Sequence, residues 1–401
     1  MALVVVEVGG EEAAVGELAR GMWQQLQDRL STEKAHFDAL GDVVKHLLTS
    51  YSLYLISYPI LGVFINAYFW RQTNDITLIA AYNFGFFIAL PVGFYLNGLL
   101  LRHIHILRLY WLGMVLQGIA AFLVIFFPTL SFDQVLFYGL VYGVGSGLFW
   151  GNKNYITLKL TKGRNRLYYN NFESVLEIGS NIVMPLLMGW FIVFGQYAGL
   201  YSINTAYKIL MIGAILLMTI GGYLLQSADI YSENIDHITV KRPSANWNLI
   251  RLINIIYQSL SGINFIIPNI LILMFVGTEG ILGTVESVVA LVTAMMLYLA
   301  GRKSTTKHFL WIVTISSLVF LVGMTLYNLT YGYLGALIYT VSVALTGAIA
   351  FNPLYTVNME IMDQEKAAKT ASNQYAYIFD NQDFRLATSK YGNYRVLHHL
   401  V

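Results

Sequence analysis

Residues 47–70 read LLTSYSLYLISYPILGVFINAYFW, twenty-four positions without one Asp, Glu, Lys or Arg. Stretches of this kind constrain the chain more than anything else in it. A hydrocarbon core about 30 Å thick is crossed by ~20 apolar residues in a helix. Similar charge-free stretches lie between Asp75 and Arg102, between Arg108 and Asp133, from Gln134 to Asn152, between Glu177 and Lys208, and from Ile209 to Ala228. A seventh runs from Leu252 to Thr278, and an eighth from Thr284 to Ala300 with Glu286 near its start. Residues 308–359 then hold 52 uncharged positions, broken at Tyr327–Tyr333 (YNLTYGY), which read as two spans joined by a tight turn. Ten membrane-spanning helices are expected. In lipid only helices or closed barrels satisfy the backbone, and segments this continuously apolar lack the alternation of barrel strands.

Composition agrees. Only 11% of side chains are charged and 57% are apolar, against roughly 25% and 45–50% in soluble chains. That polar surface is too small to clothe a water-soluble globule, which excludes a soluble enzyme, a disordered protein and, at a net charge of +2, a nucleic-acid binder. The chain has no cysteine, hence no disulfide and no thiolate metal site. None of its eight histidines forms a ligand-spaced pair in an apolar helix, so no metal or other cofactor is expected. The glycines around Gly143–Gly145 sit in an apolar helix, which is the wrong context for a phosphate-binding turn.

Lys and Arg concentrate on one side. Taking the N-terminus as cytoplasmic, the inner loops carry Arg102 and Arg108; Lys159, Lys162, Arg164 and Arg166; Lys241, Arg242 and Arg251; Arg302, Lys303 and Lys307; and Lys366 and Lys369. The outer loops show only Arg71, beside Asp75. The bias places the N-terminus inside a cell membrane. MALVVVEVGG lacks a positive n-region, so no signal peptide is expected. Residues 1–46 read as a cytoplasmic extension with amphipathic helices, Leu18, Met22, Leu26 and Leu30 being four apart. A solvated cap on the bundle and a partner-binding helix are both compatible with it.

A weak repeat follows. Arg102 finds Arg302; Gly145 in GSGLFWGNKNYITL finds Gly347 in GAIAFNPLYTV; Asn171 finds Asn373; and Pro59 finds Pro268. These offsets all lie near 200 and occupy equivalent places in the helix order, the mark of a duplicated transporter unit. The halves are 47–226, with six spans, and 248–379, with four spans and an abandoned eleventh, joined by the cytoplasmic linker 227–247. The polar tail 380–401 cannot cross a bilayer. A truncated or frame-shifted chain and a natural ten-helix relic both account for the missing hairpin.

A cytoplasmic N-terminus, a six-helix half, a long middle loop and a parallel repeat resemble the major facilitator superfamily over about 46–379. The superfamily's loop signature Gly-x-Leu-x-Asp-Arg-x-Gly-Arg is matched here by GFYLNGLLLR, Gly93 to Arg102, with Asn97 in place of the acid. GSNIVMPLLMG, Gly179 to Gly189, looks like a worn Gly-Pro antiporter motif. The resemblance implies an all-α polytopic bundle of two pseudo-symmetric halves, in which the first, fourth, seventh and tenth helices line a central cavity. It is nearest in kind to uncharacterised bacterial transporters of that superfamily.

Ionisable groups inside spans are costly and point to function. Lys153, Glu173, Glu177 and Glu286 are the candidates for coupling or gating. Glu173 and Glu177 share one helix face, and a Lys153–Glu177 pair between helices would neutralise two charges at once. Glu286 and Lys208 equally suit snorkelling to the interface. Polar groups beside prolines suggest solute contacts: Tyr54, Tyr58 and Asn66 around Pro59, and Gln258, Ser261, Asn264 and Asn269 around Pro268, with Asn83 and Asn352 as weaker counterparts. Ordinary helix–helix hydrogen bonds around a proline kink account for them equally well. Gly139, Gly143, Gly147 and Gly151 form a slowly winding bare stripe, suited to close helix packing or to sliding.

The reading is a secondary transporter, expected as a monomer in the lipid bilayer, moving a small polar, neutral or amphiphilic solute by alternating access. Proton coupling through Glu177 or Glu286 is left open. The rivals are an inactive membrane relic or scaffold of the same fold and, further off, an enzyme acting on lipid-linked substrates. The enzyme would want an acidic or histidine-rich loop where this chain has a basic, Asn-rich one.

Overall fold

A computed structural model describes residues 40–127, 130–161, 163–226, 244–303 and 309–346, with isolated positions elsewhere; the side chains of 163–167, 257–266, 299–303 and a few other positions are not among those described. All the described secondary structure is helical. The helices are α1 (Asp42–Thr73), α2 (Ile76–Leu100), α3 (Ile106–Phe126), α4 (Phe132–Leu160), α5 (Gly163–Tyr197), α6 (Ile203–Leu224), α7 (Ala245–Val276), α8 (Glu279–Lys303), α9 (Phe309–Thr330) and α10 (Tyr333–Thr346). Each of the first eight charge-free stretches falls mainly within one of them. Among the described residues, α1, α2, α3, α5, α6 and α8 are long and apolar enough to cross a membrane. The 29-residue α4 is less apolar, because glycine, tyrosine, asparagine and lysine occupy positions that leucine would otherwise fill. The amphipathic extension, the linker, the abandoned eleventh span, the polar tail and Asn352 lie outside the described residues, apart from isolated positions.

The sequence sets the boundaries locally. Asp75 accepts the Thr77 amide at 2.8 Å to start α2, and Ser131 with Gln134 forms a capping box on α4. Ser202 and Ser244 cap α6 and α7. Gly277, at φ 73°, closes α7 in the left-handed conformation that glycine adopts without steric cost. Only Thr278 then separates it from α8. The helix α5 begins at Gly163, well before the charge-free stretch that follows Glu177, and α8 begins at Glu279 rather than Thr284.

Pro59 shapes α1. It has no N–H for the carbonyl four residues back, and a π turn follows at Ile60–Phe64. The Leu55 carbonyl so released accepts the Ser180 hydroxyl of α5 at 2.8 Å. Proline's missing donor is therefore supplied from another helix.

The glycine stripe of α4 faces α2. A Cβ on Gly139 or Gly143 would run into the carbonyl oxygens of Tyr82 and Phe86, and one on Gly147 would lie 2.5 Å from that of Leu90. Gly85 and Gly93 of α2 return the fit, their Cβ positions being 2.5 Å and 2.6 Å from the Leu136 and Val144 carbonyls. The approach of backbones is the packing role of small residues in a membrane. Gly151, at the end of the stripe, meets Asn97 and Phe94 side chains instead.

Candidate functional site

One group of contacts joins the first six helices to α8. Arg71, in the last turn of α1, donates from Nε to Glu279 Oε1 at 2.5 Å and from Nη2 to Oε2 at 2.6 Å. The Tyr207 hydroxyl of α6 donates to Oε1 at 3.1 Å. Glu279 is fully buried, and the Arg71 side chain retains 33% of its exposure. A two-pronged guanidinium–carboxylate contact is the strong form of the ion pair. It sits in the first turn of α8, where the helix dipole also favours an acid. Beside it, α5 and α8 approach through glycine. A Cβ on Gly189 would strike the Glu279 carbonyl, and one on Gly283 the Pro185 carbonyl. The Trp190 indole donates to Thr284 Oγ1 at 3.0 Å. Pro185 and Gly189 belong to the segment read from sequence as a worn antiporter motif, and here they form a close crossing with α8.

At the opposite end of the bundle lies the charged cluster of α4 and α5. Lys153 pairs with Glu173, not with Glu177 as expected. Both acids share a face of α5, and the turn nearer its start is the one opposite Lys153. The ammonium also lies 4.5 Å from the Tyr51 ring centroid and 5.6 Å from that of Trp150. Glu177, one turn on, is exposed and has no ion pair of its own among the described residues. It lies within electrostatic reach of Lys153 and Glu173 and of the hydroxyls of Tyr51, Tyr54 and Tyr58.

Aromatic rings wall this cluster. Tyr54 stacks on Phe149 at 4.1 Å between centroids, meets Trp150 edge-on at 5.8 Å and Tyr58 at 5.8 Å. Among the described residues its hydroxyl is buried without a hydrogen-bond partner, as is that of Tyr82. Buried polar groups in native proteins are nearly always paired, so two orphan phenols among the first six helices are unusual.

The other expected solute contacts are distributed differently. Asn83 of α2 donates to Asn66 Oδ1 of α1 at 2.9 Å, and each amide also bonds a carbonyl one turn back in its own helix. Asn269 is buried in α7. Gln258, Ser261 and Asn264 belong to the same helix, and their side chains lie outside those described. Glu286 is half-buried two turns into α8, and Lys208 lies 6.0 Å from the Phe126 ring. Asn97, standing where the superfamily signature has an acid, forms a reciprocal amide pair with Asn152 of α4, at 3.0 and 2.7 Å.

Sequence reasoning missed Arg71, Glu279 and Tyr207. An arginine ending one helix and a glutamate opening another are ordinary at span ends. The one signal was that Arg71 is the lone base in the loops assigned to its side.

Long apolar helices crossing closely through glycine define a multi-pass membrane protein. The sequence profile of the Major Facilitator Superfamily matches residues 47–376, and the chain belongs to that superfamily of membrane transporters. It is 22% identical over 346 residues to Uncharacterized protein YqgE of Bacillus subtilis (strain 168), covering 84% of this chain and 79% of that one. Among solved structures, a D-xylose-proton symporter superposes with a TM-score of 0.59 at 15% identity, covering 85% of each chain. The nucleoside transporter NupG, solved as a point mutant, gives 0.60 at 12% identity, covering 86% of this chain and 88% of that one.

Proposed function

We propose that the protein is a secondary active transporter of the cell membrane that carries a small solute by alternating access, with its N-terminus in the cytoplasm. The observation that carries this reading is the Arg71–Glu279–Tyr207 contact, which fastens α8 to the first six helices at one end. The ionic contact at the other end, Lys153–Glu173, stays within those six helices. Alternating access needs one end closed by contacts that can be broken while the other admits solute, and this asymmetry suits a conformer closed on the Arg71 side. In the proposed orientation that side faces outward. The similar folds belong to proteins named for xylose with protons and for nucleosides, so the fold alone selects no solute. Proton coupling, through Glu177 or Glu286, forms part of the proposal.

The chain has no cysteine, so paired cysteines at Trp190 and Thr284 would be the sole thiols. Flux of candidate solutes into proteoliposomes, with internal pH recorded, is expected to stop when that pair is oxidised and to resume on reduction. Flux that continues undiminished through a formed cross-link overturns the alternating-access reading. Absence of any flux from folded protein favours an inactive relic.

A further inference from the structure

Where α3 begins and α6 stops, the two helices enclose a groove of about 460 Å³, whose lining includes Ile104, Arg108, Trp111, Leu112, Tyr223 and Gln226. Its walls are held in place. The Trp111 indole donates to the Thr219 carbonyl at 3.3 Å. A Cβ on Gly222 would lie 2.7 Å from the same ring, so the bare glycine lets the indole rest against α6. Gln226 donates to the Leu107 carbonyl at 2.6 Å. His105, just before α3, accepts the Leu107 amide on Nδ1 at 3.3 Å and lies 2.8 Å through Nε2 from the Ile230 carbonyl. With Nδ1 accepting, Nε2 carries the proton and donates, and the ring is neutral. Arg108 is exposed at the groove, and Arg102 and His103 are exposed in the loop before it.

The groove continues a face turned to lipid. From Leu112 of α3 the helical register leads to Ile119, Phe122 and Phe126, and from Tyr223 of α6 to Ile220, Leu216 and Ile212; all six residues so reached are exposed. Both helices are long and apolar enough to cross a membrane, so acyl chains cover this face. At the groove it ends in an indole, a phenol and a guanidinium, groups that sit at headgroup level. A guanidinium holds phosphate through two parallel hydrogen bonds, and basic pockets between spans at that level suit anionic headgroups. We propose that the groove between α3 and α6 is a binding site for one anionic phospholipid, its phosphate on Arg108 and an acyl chain along Leu112 and Tyr223. A zwitterionic lipid fits less well, because its headgroup brings its own cation to the Arg108 side. The site does not depend on which solute is moved. In the proposed orientation it opens into the cytoplasmic leaflet.

The test uses the full-length protein in detergent, titrated with dioleoylphosphatidylglycerol, dioleoylphosphatidylcholine and glycerol phosphate, with the first bound molecule counted by native mass spectrometry. Phosphatidylglycerol is expected to bind about tenfold more tightly than phosphatidylcholine. Glycerol phosphate, which has the headgroup and no chains, is expected not to displace it. Arg108→Gln is expected to bring phosphatidylglycerol down about tenfold, to the level of phosphatidylcholine. Lys208→Gln removes an exposed base near the other end of α6 and is expected to change neither affinity. Tyr223 is 69% exposed, so Tyr223→Ala opens one wall with little risk to folding, and it is expected to weaken both lipids about threefold or more. This variant decides the matter if Arg108→Gln does not fold, and unchanged affinities in it then overturn the proposal. Equal affinity for the two lipids, phosphatidylglycerol affinity unchanged in folded Arg108→Gln, or an equal loss in Lys208→Gln each overturn it. Displacement of the lipid by glycerol phosphate at comparable concentration overturns the lipid site in favour of a site for free phosphate esters.

Discussion

Arg71 and Glu279 stand 208 positions apart and meet through two hydrogen bonds, 2.5 and 2.6 Å long, at the mouth of α8. The two partners are not equivalent. Glu279 is fully buried, while Arg71 keeps a third of its side chain in contact with solvent. Losing one member of a buried pair strands the other's charge, at a cost of ~3–5 kcal/mol when the survivor cannot reach water.

Removing the arginine is therefore expected to cost more than removing the acid. Arg71→Met leaves the buried Glu279 carboxylate with only the Tyr207 hydroxyl, and a loss of about 3 kcal/mol follows. Glu279→Gln leaves a guanidinium that can hydrate, and about 1 kcal/mol is expected. The double variant Arg71→Met/Glu279→Leu should lie closer to the parent than Arg71→Met alone. Unfolding in a denaturing detergent ranks the three, and equal losses for the two single variants would contradict the asymmetry.

Pro59 and Ser180 give a second cycle. Ser180→Ala leaves the Leu55 carbonyl without a donor, which costs about 1 kcal/mol. Pro59→Ala restores a backbone N–H four residues on from that carbonyl, so the serine loses its special value. The penalty of Ser180→Ala is expected to shrink in the Pro59→Ala background, read from the same unfolding curves. A penalty identical in both backgrounds would show that the serine acts elsewhere.

Much of this architecture is written in where charge is absent. The limits of α2, α3 and α6 follow from Asp75, Arg102, Arg108 and Lys208 lying at or near their ends, because lipid tolerates an unpaired charge only near the interface. The same rule hides what happens at those ends. Arg71 and Glu279 occupy positions where a charge needs no explanation, and nothing local tells that they meet. Glu173 and Glu177 show a finer limit. Both lie on the face of α5 toward Lys153, and which turn comes level with the lysine depends on how the two helices are staggered along their axes. The glycine stripe of α4 was visible as spacing, but only the fold shows α2 as its partner, within the first six helices.

Glycines of this chain are expected to divide sharply. Gly139→Ala places a methyl against the Tyr82 carbonyl, and α2 and α4 must separate to admit it, at about 1–3 kcal/mol as for other overpacking changes. Gly179→Ala meets nothing within 4 Å and sits inside α5. It should be neutral or stabilising by up to about 1 kcal/mol through helix propensity. Thermal unfolding midpoints distinguish the two, and a similar loss at both positions would mean that backbone approach is not what the stripe provides.

Asn97 and Asn152 close the lower part of the same α2–α4 crossing. Each amide donates to the other's oxygen, and Asn152 also donates to the Leu148 carbonyl. Both residues are fully buried. Interhelical hydrogen bonds in membranes are worth ~0.6 to 2 kcal/mol, and a lost partner leaves a polar group that water cannot reach. Asn97→Leu and Asn152→Leu are therefore each expected to destabilise by about 1–2 kcal/mol. Asn97→Leu/Asn152→Leu removes both polar groups together, and should lose less than the two single losses added. The crossing is also next to Lys153, so the single variants are expected to loosen the ion pair with Glu173, whereas the double variant restores a packed, apolar seam beneath it. Hydrogen exchange of the α4 backbone around Gly151 reports this directly. Faster exchange in each single variant and near-parental exchange in the double variant is the expected pattern, and additive acceleration would show that the amides hold the lysine through some contact other than each other.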